Sequence, residues 1–211
     1  TILEPERNFV FERAKNFLVA PDDAWLAYYL RQMIFRPIAK QTGQLGVPLQ
    51  VWKTAIEDIG TDGNGTVLAA ADQDGVVRVW RVADLVSQVT SPVVDIATKQ
   101  DCSQVISGHR VYVSPDGRHV VSASLTEDCR ALVLGIGRKA GETVVRPLGN
   151  LRGEIGGVIF SPDGRWLVAG SRDSAGELAV WDLTADDLSQ PTAMLPVKGL
   201  FGTAALSKDH R

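Results

Sequence analysis

One octapeptide occurs twice with little change: Ser114-Pro115-Asp116-Gly117-Arg118-His119-Val120-Val121 and Ser161-Pro162-Asp163-Gly164-Arg165-Trp166-Leu167-Val168. Each copy is a tight turn that runs into apolar alternation. Proline pre-sets φ early in such a turn, and glycine supplies the positive φ that follows. Twenty residues separate Ser114 from Leu134, and twenty separate Ser161 from Trp181. The repeated unit therefore holds a strand into the turn, a second strand, a short connection and a third strand. Worn copies lie upstream: Asp62-Gly63-Asn64-Gly65 precedes Val67-Leu68-Ala69-Ala70, and Ala20-Pro21-Asp22-Asp23-Ala24 precedes Trp25-Leu26-Ala27-Tyr28. Ser207-Lys208-Asp209-His210-Arg211 reads as the start of the same turn. Ala20, Asp62, Ser114, Ser161 and Ser207 are spaced by 42, 52, 47 and 46 residues. The five tryptophans keep step with these turns. Trp25 and Trp166 are expected to open second strands, and Trp52, Trp80 and Trp181 to close third strands.

A unit of this length made of short alternating strands cannot bury both faces of its small sheet alone, so its neighbours must stack on it. The expectation is an all-β chain of β-propeller blades, each a four-stranded antiparallel sheet, in four units plus the start of a fifth. The units fall at about 16–58, 59–108, 109–150 and 151–199, with the next beginning in 200–211. Fourth strands are expected at 143–148 and 193–197, where proline is tolerable because the outermost strand is an edge. The long connection 83–108 is expected to carry an outer strand within a loop.

The order Ser-Pro-Asp-Gly, a strand, then Ala179-Val180-Trp181-Asp182-Leu183 resembles the WD-repeat (WD40) β-propellers. The likeness runs from about Asn16 to Arg211, is strongest over Val158 to Leu183, and includes Gly75 to Trp80. Two departures stand out. Repeats of that family carry a Gly-His pair upstream of the turn, but Gly108-His109 lies only five residues before Ser114, and Leu151-Arg152-Gly153-Glu154 has Glu where the His belongs. A His-centred hydrogen-bond network is therefore not expected. The third unit also has Leu134 in the tryptophan place. Rings of the family have six to eight blades, so four units and a fraction are expected to be part of a larger propeller.

The resemblance implies a non-catalytic scaffold for protein partners, as the repeat region of a larger bacterial signalling or assembly protein. In such proteins the array follows a kinase, a caspase-like protease or an NTPase. Ala20 to Tyr29 also looks like propellers of the TolB and prolyl-oligopeptidase type, which implies a periplasmic assembly or the gating of a hydrolase. Trp52, Trp80 and Trp181 favour the WD-repeat reading.

The recognisable catalytic constellations are missing. There is no Gly-x-Ser-x-Gly elbow, and Gly137-Arg138-Lys139-Ala140-Gly141 lacks the Gly-Lys-Ser/Thr ending of a phosphate loop. Asp22-Asp23, Asp72/Asp74 and Asp186-Asp187 lie at turns, where aspartate caps its own backbone. Cys102, His109, His119 and Cys129 contain no Cys-x-x-Cys or His-x-x-x-His pair, so no metal is expected. The two cysteines read as reduced thiols or a disulfide within one blade. No catalytic residue, cofactor or metal is assigned. With 22 Lys+Arg against 25 Asp+Glu, the chain lacks the cationic excess of a nucleic-acid binder. No apolar run is long enough to cross a bilayer as a helix, so neither a nucleic acid nor a membrane is expected as a partner. The expected location is the cytoplasm.

One segment exceeds the blade spacing. Ala20 to Trp52 takes 32 residues where Ser161 to Trp181 takes 20. The excess lies between Tyr28 and Pro48, which mixes apolar and basic residues. A solvent-projecting insertion rich in Arg, Tyr, Phe and Met has the composition of a binding hot spot. Tyr28, Tyr29, Arg31, Met33, Phe35, Arg36 and Lys40 are the candidate protein-interaction residues. The alternative is that this segment covers the edge of its own blade.

Overall fold

The computed structural model describes residues 16–29, 32–39, 41–97, 109–124, 131–136, 142–149, 155–171 and 177–196. They form four antiparallel sheets in chain order. The first blade contains β1 (Asn16–Val19), β2 (Trp25–Tyr29), β3 (Met33–Ala39), β4 (Gln44–Leu45) and β5 (Leu49–Trp52). The second contains β6 (Ile56–Thr61), β7 (Val67–Asp72), β8 (Val76–Arg81) and β9 (Val94–Ala97), with a short helix α1 (Val82–Val86) before β9. The third contains β10 (His109–Val113), β11 (His119–Ser124), β12 (Leu132–Gly135) and β13 (Val144–Pro147). The fourth contains β14 (Ile155–Phe160), β15 (Trp166–Ser171), β16 (Glu177–Asp182) and β17 (Ala193–Pro196). Pro147 and Pro196 end the outermost strands of their sheets, where a missing N–H is least costly. The second sheet begins at Ile56, so its first strand starts ahead of residue 59, where the turn spacing placed the unit.

The repeated turn is held by its own side chains. Ser114 Oγ accepts the His119 N–H at 2.9 Å and donates to Asp116, whose Oδ1 accepts the Arg118 N–H. Ser161, Asp163, Trp166 and Arg165 repeat that set. In the second blade one buried carboxylate takes over: Asp62 accepts the N–H groups of Thr66 and Val67 and the Thr66 hydroxyl. The turns also fit one another from blade to blade. Gly65, Gly117 and Gly164 all have φ near +70°. A Cβ at Gly65 would meet Pro21 Cδ at 2.8 Å, one at Gly117 would lie 3.3 Å from an Asp62 oxygen, and one at Gly164 would strike the Asp116 carboxylate at 2.6 Å. Glycine is required there twice over, by conformation and by space.

Strand alternation sends the apolar residues of the second and third blades to neighbours on both sides. Leu68, Ala70 and Trp80 of the second blade pack with Trp25, Ala27, Phe35 and Trp52 of the first. Its other face, Val67, Ala69, Ala71, Val77 and Val79, packs with Val111, Val120 and Leu134 of the third. Val121, Ala123 and Val133 then meet Leu167, Ala169, Ala179 and Trp181 of the fourth. The core is thus three layers between four sheets.

The expected insertion is not one. Residues 33–39 are strand β3, the third strand of the first blade, paired through Met33–Pro37 with β2. Trp52 ends β5, the outer strand, rather than closing the third strand. The register place filled by Trp80 opposite Leu68 and by Trp181 opposite Leu167 is held here by Arg36 opposite Leu26. The fourth strand is broken into β4 and β5, and Pro37 explains the break. Gly46 donates its N–H to the Pro37 carbonyl at 2.8 Å, but Pro37 has no N–H to return. Arg36 supplies the missing donor, placing Nε at 2.9 Å and Nη2 at 2.8 Å from the Gly46 carbonyl.

Candidate interaction site

The structure places the described members of the Tyr28–Lys40 set inside the first blade. Tyr28, Tyr29, Met33 and Phe35 are buried, the last two completely. Phe35 stacks on Trp25 with ring centroids 5.7 Å apart. Arg36 is half-buried and occupied by Gly46. A projecting hot spot needs these side chains in solvent, so that expectation is corrected: alternation in β2 and β3 turns the apolar ones into core. Arg31 and Lys40 lie outside the described residues, as do Cys102, Cys129 and His210. His109 and His119 begin different strands of one hairpin, and His119 lies beyond the Val113–Val120 pair at the end opposite His109. Five residues of strand, roughly 16 Å, separate them, far more than two ligands of one metal allow. Among the described residues no three His, Cys, Asp or Glu side chains converge as a metal site.

The seams between blades carry the buried polar chemistry. Trp25 donates its indole N–H to the Gly65 carbonyl at 2.9 Å, and Tyr29 donates its hydroxyl to the Glu57 carbonyl. Burial, with help from the Asp58 charge, pushes the Tyr29 hydroxyl above its ordinary value, so it remains a donor. Glu57 and Asp58 accept the backbone N–H groups of His109 and Val111 at 2.9 and 3.0 Å. Two carboxylates on the innermost strand of the second blade thus serve the innermost strand of the third. At the last seam Arg146 donates to the Leu183 and Ala185 carbonyls, and the Gly149 N–H to the Leu188 carbonyl.

Two clefts open at the end of the third blade that carries its Ser114–Gly117 turn. The smaller, about 170 Å³, lies toward the second blade and is lined by Trp80, Val93, Gly117, Arg118 and Ile136 among others. The larger, about 370 Å³, is lined by Arg118, His119, Gly135, Ile136, Glu142, Val144, Arg146 and Asp186. The matching place in the fourth blade holds an ion pair. There Arg165 lies over the Trp166 ring at 4.9 Å and holds Asp182 with Nη2 at 2.7 Å and Nε at 3.1 Å. Arg165 keeps the Asp182 carboxyl far below the ordinary carboxylate range. Arg118, His119 and Gly135 were not singled out as a set from the sequence. Superposing the two Ser-Pro-Asp-Gly units through to their third strands would have shown Gly135 in the Asp182 position.

Two stretches, residues 46–81 and 145–182, match the WD40 family, described as WD domain, G-beta repeat. Each ends on a third strand that carries its tryptophan, Trp80 or Trp181. The chain carries WD40 repeats on a β-propeller fold. Among solved structures the β-propeller domain of Cps50 (Swd1) from Myceliophteria thermophila is similar at a TM-score of 0.67 and 14% identity, over 94% of this chain and 60% of that one. Kuenenia stuttgartiensis hydrazine synthase is similar at a TM-score of 0.60 and 17% identity, over 88% of this chain and 49% of that one. This chain thus spans about half to three fifths of the length of these two structures. A search of curated proteins finds no match by sequence. WD40 propellers are typically non-catalytic and generally bind protein partners.

Proposed function

We propose that these WD40 blades form a non-catalytic docking scaffold within a larger bacterial signalling or assembly protein, with partners held on the rims of a stiff stack. The observation that carries this reading is the way each seam is bonded. Trp25, Tyr29, Glu57, Asp58 and Arg146 all bond to backbone across a seam, which fixes each blade against its neighbour rather than leaving it to slide. Rigid neighbours hold their loops and clefts in fixed relation, and a pre-formed surface saves the ordering entropy that flexible binders must supply. Support for the larger setting comes from the pairing of Ser161–Val168 with Trp181–Asp187, which resembles bacterial multidomain repeat regions.

Cross-linking mass spectrometry on complexes formed by the folded chain is the direct test. Cross-links from a stoichiometric partner should fall on the exposed ends and outer strands of the third and fourth blades. A chain that forms no stoichiometric complex, or that turns over a small molecule, would overturn the scaffold reading.

A further inference from the structure

The third and fourth blades are internal copies, so each can be read against the other. Trp166 faces Asp182 across the β15–β16 ladder, and His119 faces Gly135 across β11–β12. Arg118 precedes His119 as Arg165 precedes Trp166. The third blade therefore keeps the arginine, exchanges the ring beside it, and deletes the carboxylate that the arginine grips. We propose that the cleft beside Arg118 takes an aspartate or glutamate side chain from an extended segment of a partner protein, which gives Arg118 the carboxylate that Asp182 gives Arg165. This rests on the scaffold reading and names the chemistry of one docking site within it.

Several features of the cleft fit such an occupant. The Arg118 side chain is 76% exposed, and its Nε stands 3.7 Å from an Asp116 oxygen, too long for a charge-assisted hydrogen bond. The Asp116 Oδ1 is already engaged by Ser114 and by the Arg118 N–H. A carboxylate has two oxygens, enough to take two N–H donors of the exposed Arg118 guanidinium at once. Beside the cleft runs β13, the outermost strand of its sheet, with Val144 and Val145 exposed. An extended segment lying along that edge has apolar surface to cover next to the charge. Glu142 and Asp186 also line the cleft. Their charge opposes any anion, and a doubly charged phosphate more strongly than a carboxylate.

The test uses the full chain and a fluorescent peptide library with random flanks and a central residue fixed as Asp, Asn or phosphoserine, read by fluorescence polarisation. The Asp library should bind more tightly than the Asn library. Arg118→Gln should weaken it roughly tenfold to a hundredfold, the scale of a lost charge-assisted bond. Gly135→Asp should weaken it as much, because the introduced carboxylate would occupy Arg118 from within, as Asp182 occupies Arg165. A Cβ at Gly135 meets only Val144, at 3.7 Å or more, so this variant has room to fold. Its melting temperature should match or exceed that of the unaltered chain, and the gain should vanish when Arg118→Gln is added. Equal binding of the Asp and Asn libraries, or undiminished Asp binding by Gly135→Asp, would overturn the site. Preference for phosphoserine would overturn its carboxylate chemistry. If Gly135→Asp still forms the cross-linked complexes of the unaltered chain, the scaffold reading stands and this site alone fails.

Discussion

The carboxylate of Asp58 on β6 accepts the backbone N–H of Val111 on β10, so a side chain of the second blade does for the third what a neighbouring strand would do. Asp58 is only 8% exposed. Burial raises its carboxyl above the ordinary value by more than the Val111 N–H and the Arg110 charge lower it.

The folded state therefore holds that proton to higher pH than the unfolded chain does. The resulting stabilisation is fully present below the ordinary aspartate range, near pH ~4, and is lost as pH rises through the folded value. Asp58→Asn keeps an acceptor for Val111 without the buried charge, so it should remove this downward drift between pH 4 and 7. Asp58→Ala strands the N–H and should cost about 1–3 kcal/mol at pH 7. Urea unfolding of both variants at the two pH values checks the difference. Equal losses would show that the charge, not the acceptor, matters.

Arg36 and Pro37 should be energetically coupled. Arg36→Ala leaves the Gly46 carbonyl without its guanidinium and should cost about 1–2 kcal/mol. In a Pro37→Val background the backbone N–H returns, and the same Arg36 substitution should cost less than half as much. A double-mutant cycle by chemical denaturation measures the coupling. Additive losses would disprove the substitution of side chain for backbone.

Two buried indoles should behave differently. Trp25 gives its N–H to Gly65, whereas the Trp181 N–H finds no acceptor among the described residues. Both rings are almost completely buried. Trp25→Phe loses ring area and a hydrogen bond, while Trp181→Phe loses area alone and sheds an unpaired donor. Trp25→Phe should be the more destabilising by about 1 kcal/mol or more, read as the difference between the two unfolding midpoints.

Glycines at two positions of the third and fourth blades should respond in opposite ways. Gly164→Ala places a methyl group in the Asp116 carboxylate at positive φ and should cost about 2 kcal/mol or more. Gly135→Ala meets nothing closer than ordinary contact and should stay within about 1 kcal/mol of the unaltered chain. Thermal unfolding of the pair decides this.

Four antiparallel blades, the four-strand plan and the outer strands with their prolines were legible in the sequence, because turn chemistry and strand alternation are local and repeat in register; the expected start of a fifth lies outside the described residues. Trp80 and Trp181 were placed correctly for the same reason. Trp52 was not. Its place was inferred from chain spacing, and spacing cannot distinguish an inserted loop from a third strand followed by a broken fourth. The apolar and basic character of Tyr28 to Lys40 suggested exposure, yet Met33 and Phe35 alternate toward the second blade while Arg36 turns back to mend the ladder. The cleft beside Arg118 was hidden because its signature is a deletion. A glycine at position 135 means little until the register sets it opposite His119 and equates it with Asp182.

The nested glycines have a consequence for how such an array can vary. What Gly65, Gly117 and Gly164 share is a lack of bulk, while the groups they receive are different: a prolyl ring, then one aspartate, then another. At this contact, unlike the hydrogen-bonded parts of the seam, the joint asks for clearance and not for a particular partner. The residues that fill this contact can therefore differ from repeat to repeat without spoiling the fit of the turns. The price falls on a single atom per repeat, so each glycine is far less free to change than the residues it accommodates.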